Sequence, residues 1–278
     1  MSMSWLLVYA AYLLWVLCTR PCSSKGRITV DDISVFFHCY GKGEPVLLLH
    51  GGFAFSEMVA GQVPALARRY QVITMDSRGH GRTTLGDLPL DYRQLAADTA
   101  GLIEKLGIGP VHLVGWSDGG CAGLALALER PDLLRSLVLT GTPFNTSNYS
   151  DEARREIARF LRPYSTTLLT LRAFHRLMNP EPGSWKPFLE RMTSMWTELP
   201  DFTIEELGRM ETPTLVIGCD RDEFLSPAGD PLHVFRETAE AIPNARLEVI
   251  PGGTHSVQMD KARNFNRLVL EFLEGVRA

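Results

Sequence analysis

The sequence has no block of basic residues, no internal repeat and no low-complexity tract, and Lys plus Arg (28) are outnumbered by Asp plus Glu (32). A nucleic acid or an anionic membrane face recruits clustered cations, so the composition argues against both partners. The five cysteines are an odd number, and their spacing fits neither a disulfide framework nor a zinc site. Cys39, Cys121 and Cys219 fall in or beside expected core elements, where a thiol acts as a small apolar filler. Cys18 and Cys22 lie in the N-terminal tail. Such usage suits a reducing compartment, or a protein indifferent to redox state. No metal or cofactor is implied.

Charge is also lacking from Trp5 to Cys18, fourteen residues that fall short of the roughly 20 needed by a comfortable membrane-spanning helix. The segment matches the apolar core of a signal peptide. Yet the preceding MSMS carries no Lys or Arg, and no Ala-x-Ala cleavage site follows. Three readings stay open: an uncleaved anchor or membrane-associated helix, a signal peptide, or an extension with no targeting role. The first two place the protein at a membrane or in an export route, the third in the cytoplasm. Residues 1–26 are dispensable for the fold on any of them.

What is present is a chain of 278 residues, 45% apolar, with a net charge of −4, enough for one large α/β domain or two small ones. From Arg27 short apolar strands alternate with helical patterns. Strands are expected at Ile33 to Tyr40, Val46 to His50, Gln71 to Met75, 111–115, Ser136 to Thr140, Thr214 to Gly218 and Arg246 to Ile250. Helices are expected over Leu95 to Leu106, 119–130, Pro231 to Ala241 and about Asp260 to Gly275, with another ending near Tyr70. This alternation predicts a parallel sheet covered on both faces, with an antiparallel edge from the early hairpin-like pair. Ligands bind such sheets beyond the carboxyl ends of the strands. Residues 143–208 break the rhythm with a mostly helical stretch that reads as a lid and carries Trp185 and Trp196. The two Asn-x-Ser matches at Asn145 and Asn148 matter only in a glycosylating pathway.

The segment LVGWSDGGCAGLALALERP, 113–131, sets Ser117 between Gly115 and Gly119 where an apolar strand meets a small-residue helix. G-x-S-x-G in that setting is a nucleophile elbow. A serine hydroxyl needs a base within hydrogen-bond reach, and the base needs an acid to orient it. His255, in PGGTHSV just after the strand ending at Ile250, is the candidate base. The acid comes from IGCDRDEFLSP, where Asp222 is favoured and Asp220 is the alternative. Two backbone N–H groups must hold the developing oxyanion. One is expected from Asp118 and the other from HGGFAF, Gly52 first and Phe53 second. Trp116, Phe144, Trp185 and Trp196 are the candidates for contact with the substrate.

HGG at 50–52, DSRGHGRT at 76–83, GWSDGG at 115–120, the acid loop at 218–227 and GGTH at 252–255 together resemble the α/β-hydrolase superfamily, from about Arg27 to the C-terminus. The resemblance implies a mostly parallel, eight-stranded sheet flanked by helices, with a helical cap inserted after the sixth strand. Residues 27–142 and 209–278 would form the core and 143–208 the cap. It also implies ester, amide, lactone or C–C bond cleavage without a cofactor. Haloalkane dehalogenases and epoxide hydrolases of this fold use an aspartate nucleophile, which Ser117 replaces here. Within DSRGHGRT, Asp76, Arg78 and His80 are expected to brace loops beside the site. The elbow itself is similar to that of biphenyl-hydrolase-like (valacyclovirase) proteins, which implies that Asp118 recognises the α-amino group of amino-acid esters. Against this stands a plainer role for the Asp118 side chain, capping the helix start.

The expected function is therefore a serine hydrolase of small carboxylic esters, working through an acyl-enzyme on a small-molecule substrate. An amino-acid ester, lactone or C–C bond hydrolase is an alternative. So is a cofactor-free lyase or perhydrolase, or a non-catalytic ligand receptor on the same fold. Oligomeric state leaves no mark in the sequence.

Overall fold

Runs such as VHLVGW and TLVIGC carry no charge and alternate on neither face, which only a strand covered on both sides can use. They form β5 (Val111–Trp116) and β7 (Thr214–Cys219), each buried along its whole length. The computed structural model describes residues 24–277 apart from 161, 163, 164 and 226. The apolar segment 5–18, with the readings attached to it, lies outside the described residues. Among the described residues, no helix is long and apolar enough to cross a membrane. The remaining strands are β1 (Ser24–Val30), β2 (Ile33–Tyr40), β3 (Glu44–Leu49), β4 (Tyr70–Met75), β6 (Leu134–Thr140) and β8 (Ala245–Ile250).

The eight strands lie in the order β1-β2-β4-β3-β5-β6-β7-β8. β2 is antiparallel to both β1 and β4, and every other pairing is parallel. The exposed edge strand β1 shows the alternation of a half-solvated face, unlike the central strands. From β3 the chain steps to β4 on one side, whereas from β5 it steps to β6 on the other. The carboxyl ends of the neighbours β3 and β5 are thus the point where the winding direction reverses, and connections leaving in opposite directions open a crevice there.

Helices pack on both faces: α1 (Val63–Leu66), α2 (Tyr92–Leu106), α3 (Asp118–Glu129), α8 (His233–Ala241), α9 (Val257–Asp260) and α10 (Ala262–Arg277). α2 begins where the Asp91 carboxylate accepts the Gln94 N–H and ends on Gly107 in the left-handed region. Between β6 and β7 the chain forms α4 (Asp151–Phe160), α5 (Thr166–Met178), α6 (Trp185–Glu198) and α7 (Ile204–Leu207). One expected helix differs. The one expected to end near Tyr70 is a 3-10 turn, Ser56–Gln62, running into the single turn of α1. The closing helix, expected from about Asp260 to Gly275, is α10, and the short α9 ends just ahead of it at Lys261 (φ −123°).

Asp76 and Arg78 brace the loops beside that crevice, whereas His80 bonds back to the Arg78 carbonyl of its own loop. The fully buried Arg78 guanidinium grips Asp98 with two bonds of 2.7 and 2.8 Å and reaches Asp32 at 2.8 Å. Asp76 accepts the Ser56 N–H and the Arg82 guanidinium, and Arg82 also pairs with Glu57. Removing one partner from such a buried pair typically costs about 3–5 kcal/mol. His50 donates Nδ1–H to the Gly51 carbonyl and accepts the Ser77 N–H at 3.0 Å, tying the loop after β3 to the loop after β4.

Candidate active site

The junction of β5 and α3 leaves no room for side chains on the flanking glycines. A Cβ on Gly115 would lie 2.5 Å from the Gly119 carbonyl oxygen, and one on Gly119 would lie 2.6 Å from the Leu49 carbonyl oxygen. The strand and helix therefore meet in a turn that forces Ser117 to φ 54°, ψ −121°. That left-handed backbone costs a residue with a side chain on the order of 1–3 kcal/mol, which packing around it must offset. The result is a hydroxyl lifted above the carboxyl ends of β3 and β5.

Ser117, His255 and Asp222 come together there. Ser117 Oγ lies 3.1 Å from His255 Nε2. On the other side of the ring, Nδ1 lies 3.0 and 3.1 Å from the two Asp222 oxygens. A carboxylate accepts only, so Nδ1 carries the proton and Nε2 presents a lone pair to the serine hydroxyl. Asp222 is 2% exposed, and its Oδ1 also accepts the Phe224 and Leu225 N–H groups at 2.9 and 3.0 Å. Burial opposes charge on His255. Asp222's charge and hydrogen bond, helped by Glu223 and Asp118, outweigh it and lift the imidazole above its usual 6.5. Asp220, the alternative acid, instead accepts the Gly252 N–H in the neighbouring turn.

His255 is also held by its backbone. Its N–H donates to Glu223 Oε2 at 3.1 Å, and its carbonyl accepts the Trp116 indole N–H at 2.8 Å. Trp116 was expected to touch substrate; the bond it makes is to the loop that carries the imidazole. Phe224 packs its ring 4.7 Å from the imidazole.

The Asp118 side chain does not fold back to cap α3. It is 5% exposed, and accepts the Tyr92 hydroxyl at 3.0 Å and the Trp196 indole N–H at 2.9 Å. Burial pushes this carboxyl up to about 6, against the two hydrogen bonds and the His255 charge that favour its ionised form. Gly52 lies against it: a Cβ there would be 2.4 Å from Asp118 Oδ2 and 2.4 Å from the Trp196 ring. Phe53 follows in the left-handed region at φ 53°, its ring 5.2 Å from Trp196 and 6.2 Å from Trp185. Of the expected substrate contacts, Trp185 and Trp196 thus flank the Gly52–Phe53 loop. Phe144 is packed in the core, its backbone N–H bonded to Asn148. Sequence reasoning missed the bond from the His255 N–H to Glu223, which sits in the acid loop without a sign of that partner, and it missed Tyr92, which sits in no motif and lies 26 positions from Asp118.

A family model described as the alpha/beta hydrolase family matches residues 46–268. The chain belongs to that family. As an α/β hydrolase it is similar to RutD of Pseudomonas savastanoi pv. phaseolicola, provisionally named a carbamate hydrolase. The two are 31% identical over 261 residues, 85% of this chain and 96% of that protein. It is also 25% identical to the serine hydrolase BPHL of Mus musculus, over 90% of this chain and 87% of that one. Among solved structures, the meta-cleavage product hydrolase CumD of Pseudomonas fluorescens IP01 superposes with a TM-score of 0.74 at 22% identity. That match covers 90% of this chain and 97% of CumD, a likeness of fold. The protein is an α/β-hydrolase enzyme.

Proposed function

We propose that the protein is a serine hydrolase of small carboxylic esters. The observation that carries this reading is the unbroken line Asp222–His255–Ser117, with spacings of 3.0 to 3.1 Å, standing at the reversal point of the sheet. His255 Nε2 takes the Ser117 proton as Oγ attacks the ester carbonyl carbon. The backbone N–H groups of Gly52 and Asp118, or Phe53 in place of Gly52, hold the oxyanion. Collapse breaks the bond to the alcohol oxygen, which leaves with the proton from His255. Water, deprotonated by the same imidazole, then adds to the acyl carbon, and collapse frees the acid and returns the proton to Ser117. Asp222 stays ionised throughout and offsets the imidazolium charge. Residues 143–208 form a cap over this chemistry, and Trp185 and Trp196 are its contribution to the substrate pocket.

Ser117→Ala is expected to lower kcat on 4-nitrophenyl butyrate by on the order of 10³-fold or more, with the fold intact by circular dichroism. Unchanged turnover would remove the reading.

A second reading is favoured by one observation. The Asp118 carboxylate lies against Gly52 with only two donors on it, and a carboxylate has about four acceptor sites. A substrate with an N–H donor beside its carbonyl, an amino-acid ester, would pair with it there. The naming of RutD for carbamates, which also carry nitrogen at the carbonyl, is in keeping with such a substrate. The amino-acid ester should then exceed its des-amino analogue in kcat/KM by about tenfold or more, and Asp118→Asn should erase most of that ratio. Equal ratios in parent and variant would leave plain esters as the substrates.

A further inference from the structure

A histidine base works only while its ring meets the nucleophile and the acid at once, and the ring goes where its own main chain carries it. The stretch that carries His255, GGTH at 252–255, is a loop between β8 and α9. No strand or helix partners its N–H groups, and side-chain carboxylates take most of them instead. The Gly252 N–H donates to Asp220 at 2.6 Å, the Thr254 N–H to Asp260 at 3.3 Å and the His255 N–H to Glu223 at 3.1 Å. Only the last of these bonds acts on the base itself.

Asp222 and Glu223 are consecutive residues of one loop, and they grip the same histidine at two points. Asp222 accepts the ring Nδ1–H, and Glu223 accepts the main-chain N–H. The Trp116 indole holds the His255 carbonyl. The ring itself lies against Phe224, 4.7 Å between centroids, and against the backbone of Gly141, where a Cβ would fall 3.0 Å from the imidazole Cε1. The gripping loop is anchored in turn, because the Ser150 N–H, just before α4, donates to the Phe224 carbonyl at 3.1 Å. Magnitudes separate two roles for Glu223. Its side chain is exposed, where water competes for both partners, so the bond adds little to the stability of the fold. The same bond fixes where the imidazole sits, and a displacement of about 1 Å at a reacting group costs on the order of 10²-fold in rate.

We propose that Glu223 is a positioning residue for the general base: through the His255 main chain it keeps the imidazole within hydrogen-bond reach of Ser117 and Asp222 together. The proposal rests on the serine-hydrolase reading of that triad. A glutamate does more here than a neutral acceptor would, because its charge also reaches the ring. The charged groups that face the imidazole are Asp222 and Glu223 from the acid loop and Asp118 from α3; Trp116, Phe224 and Gly141 on its other sides carry no charge. Burial opposes the imidazolium, and Asp222 first, then Glu223 and Asp118, favour it. Loss of the Glu223 charge therefore lets His255 give up its proton at lower pH.

The test sets Glu223→Ala, which has no acceptor, against Glu223→Gln, whose amide oxygen can still accept the His255 N–H but carries no charge. On 4-nitrophenyl butyrate, Glu223→Ala should lower kcat by about tenfold with KM within about twofold of the parent, and Glu223→Gln should recover most of that loss. In both variants the acid limb of kcat/KM should move to lower pH than in the parent. A kcat within about twofold of the parent in Glu223→Ala, with the acid limb unmoved, would overturn the proposal and leave the ester reading intact. So would a fall in kcat with an unmoved acid limb and a lowered Tm, which would give Glu223 a part in folding alone. If the parent hydrolyses no ester, the ester reading is what fails, and proton NMR of the His255 ring decides the role of Glu223. The Nδ1–H proton held by Asp222 should exchange with water about tenfold faster in Glu223→Ala than in the parent, with Glu223→Gln between them. Equal exchange in all three proteins overturns the proposal.

Discussion

Two buried aspartates flank the site and are held in opposite ways. Asp222 takes its backbone donors from Phe224 and Leu225, two and three positions along its own loop, and then faces His255. Asp118 takes its donors from side chains far away in sequence, Tyr92 on α2 and Trp196 on α6. The first carboxylate is oriented by a loop that carries its own partners. The second is oriented by the packing of three separate elements, one of them from the helices between β6 and β7. An acid that must keep one imidazole in place benefits from short-range rigidity. If Asp118 meets the substrate as proposed, that contact would sense how those helices are seated.

The sharpest way to break this contrast is Asp222→Asn. It leaves the loop's size unchanged but lets the side chain donate as well as accept, so the imidazole loses its fixed tautomer; kcat should fall by about 10³- to 10⁴-fold with KM little changed. In the parent, the acid limb of kcat/KM should lie above pH 6.5. His255 must be neutral to act as base, and its neighbours hold its proton more tightly than usual, so activity rises as pH rises through that raised value. An acid limb below 6.5 would show that the imidazole is not so held. Next in size is Gly52→Ala. Its methyl would fall 2.4 Å from both the Asp118 carboxylate and the Trp196 ring. The loop must move, and with it an expected oxyanion donor, for a loss on the order of 10²-fold in kcat. Smallest is Trp196→Phe, which removes one donor from Asp118 and keeps the ring. A few-fold change in kcat/KM is expected. The Asp118 titration should move upward from about 6, because the lost bond favoured the ionised carboxylate. Carboxyl NMR of both forms measures it, and an unmoved titration would put the indole's influence at nothing.

Much of the site was legible in the chain itself. Ser117 stands directly after a strand, Asp222 and His255 stand in the loops that follow two others, and the glycines around Ser117 announce a turn in which nothing larger fits. Alternation of apolar strands with helices likewise predicted the parallel sheet and its antiparallel edge, because burial on two faces leaves its mark on every residue of a strand. Trp116 shows the limit. Its place beside the serine suggested contact with substrate, yet its indole N–H is spent on the His255 carbonyl, 139 positions away. Nothing in the local pattern of a tryptophan tells which carbonyl it will meet. The same holds for His80, in DSRGHGRT, and His175, in no motif, which line one cavity.

Taken alone, the order of residues determined the succession of strands and helices, the strained serine turn, and the loops able to supply a base and an acid. Those features depend on steric rules and hydrogen bonds reaching only a few residues along the backbone. Only the tertiary structure decided that Asp222 rather than Asp220 meets the imidazole, that Asp118 is clasped by Tyr92 and Trp196, and that two imidazoles line one small cavity. Those outcomes depend on how side chains from remote segments fill shared space, and the same local sequence is compatible with many such arrangements until the whole core has packed.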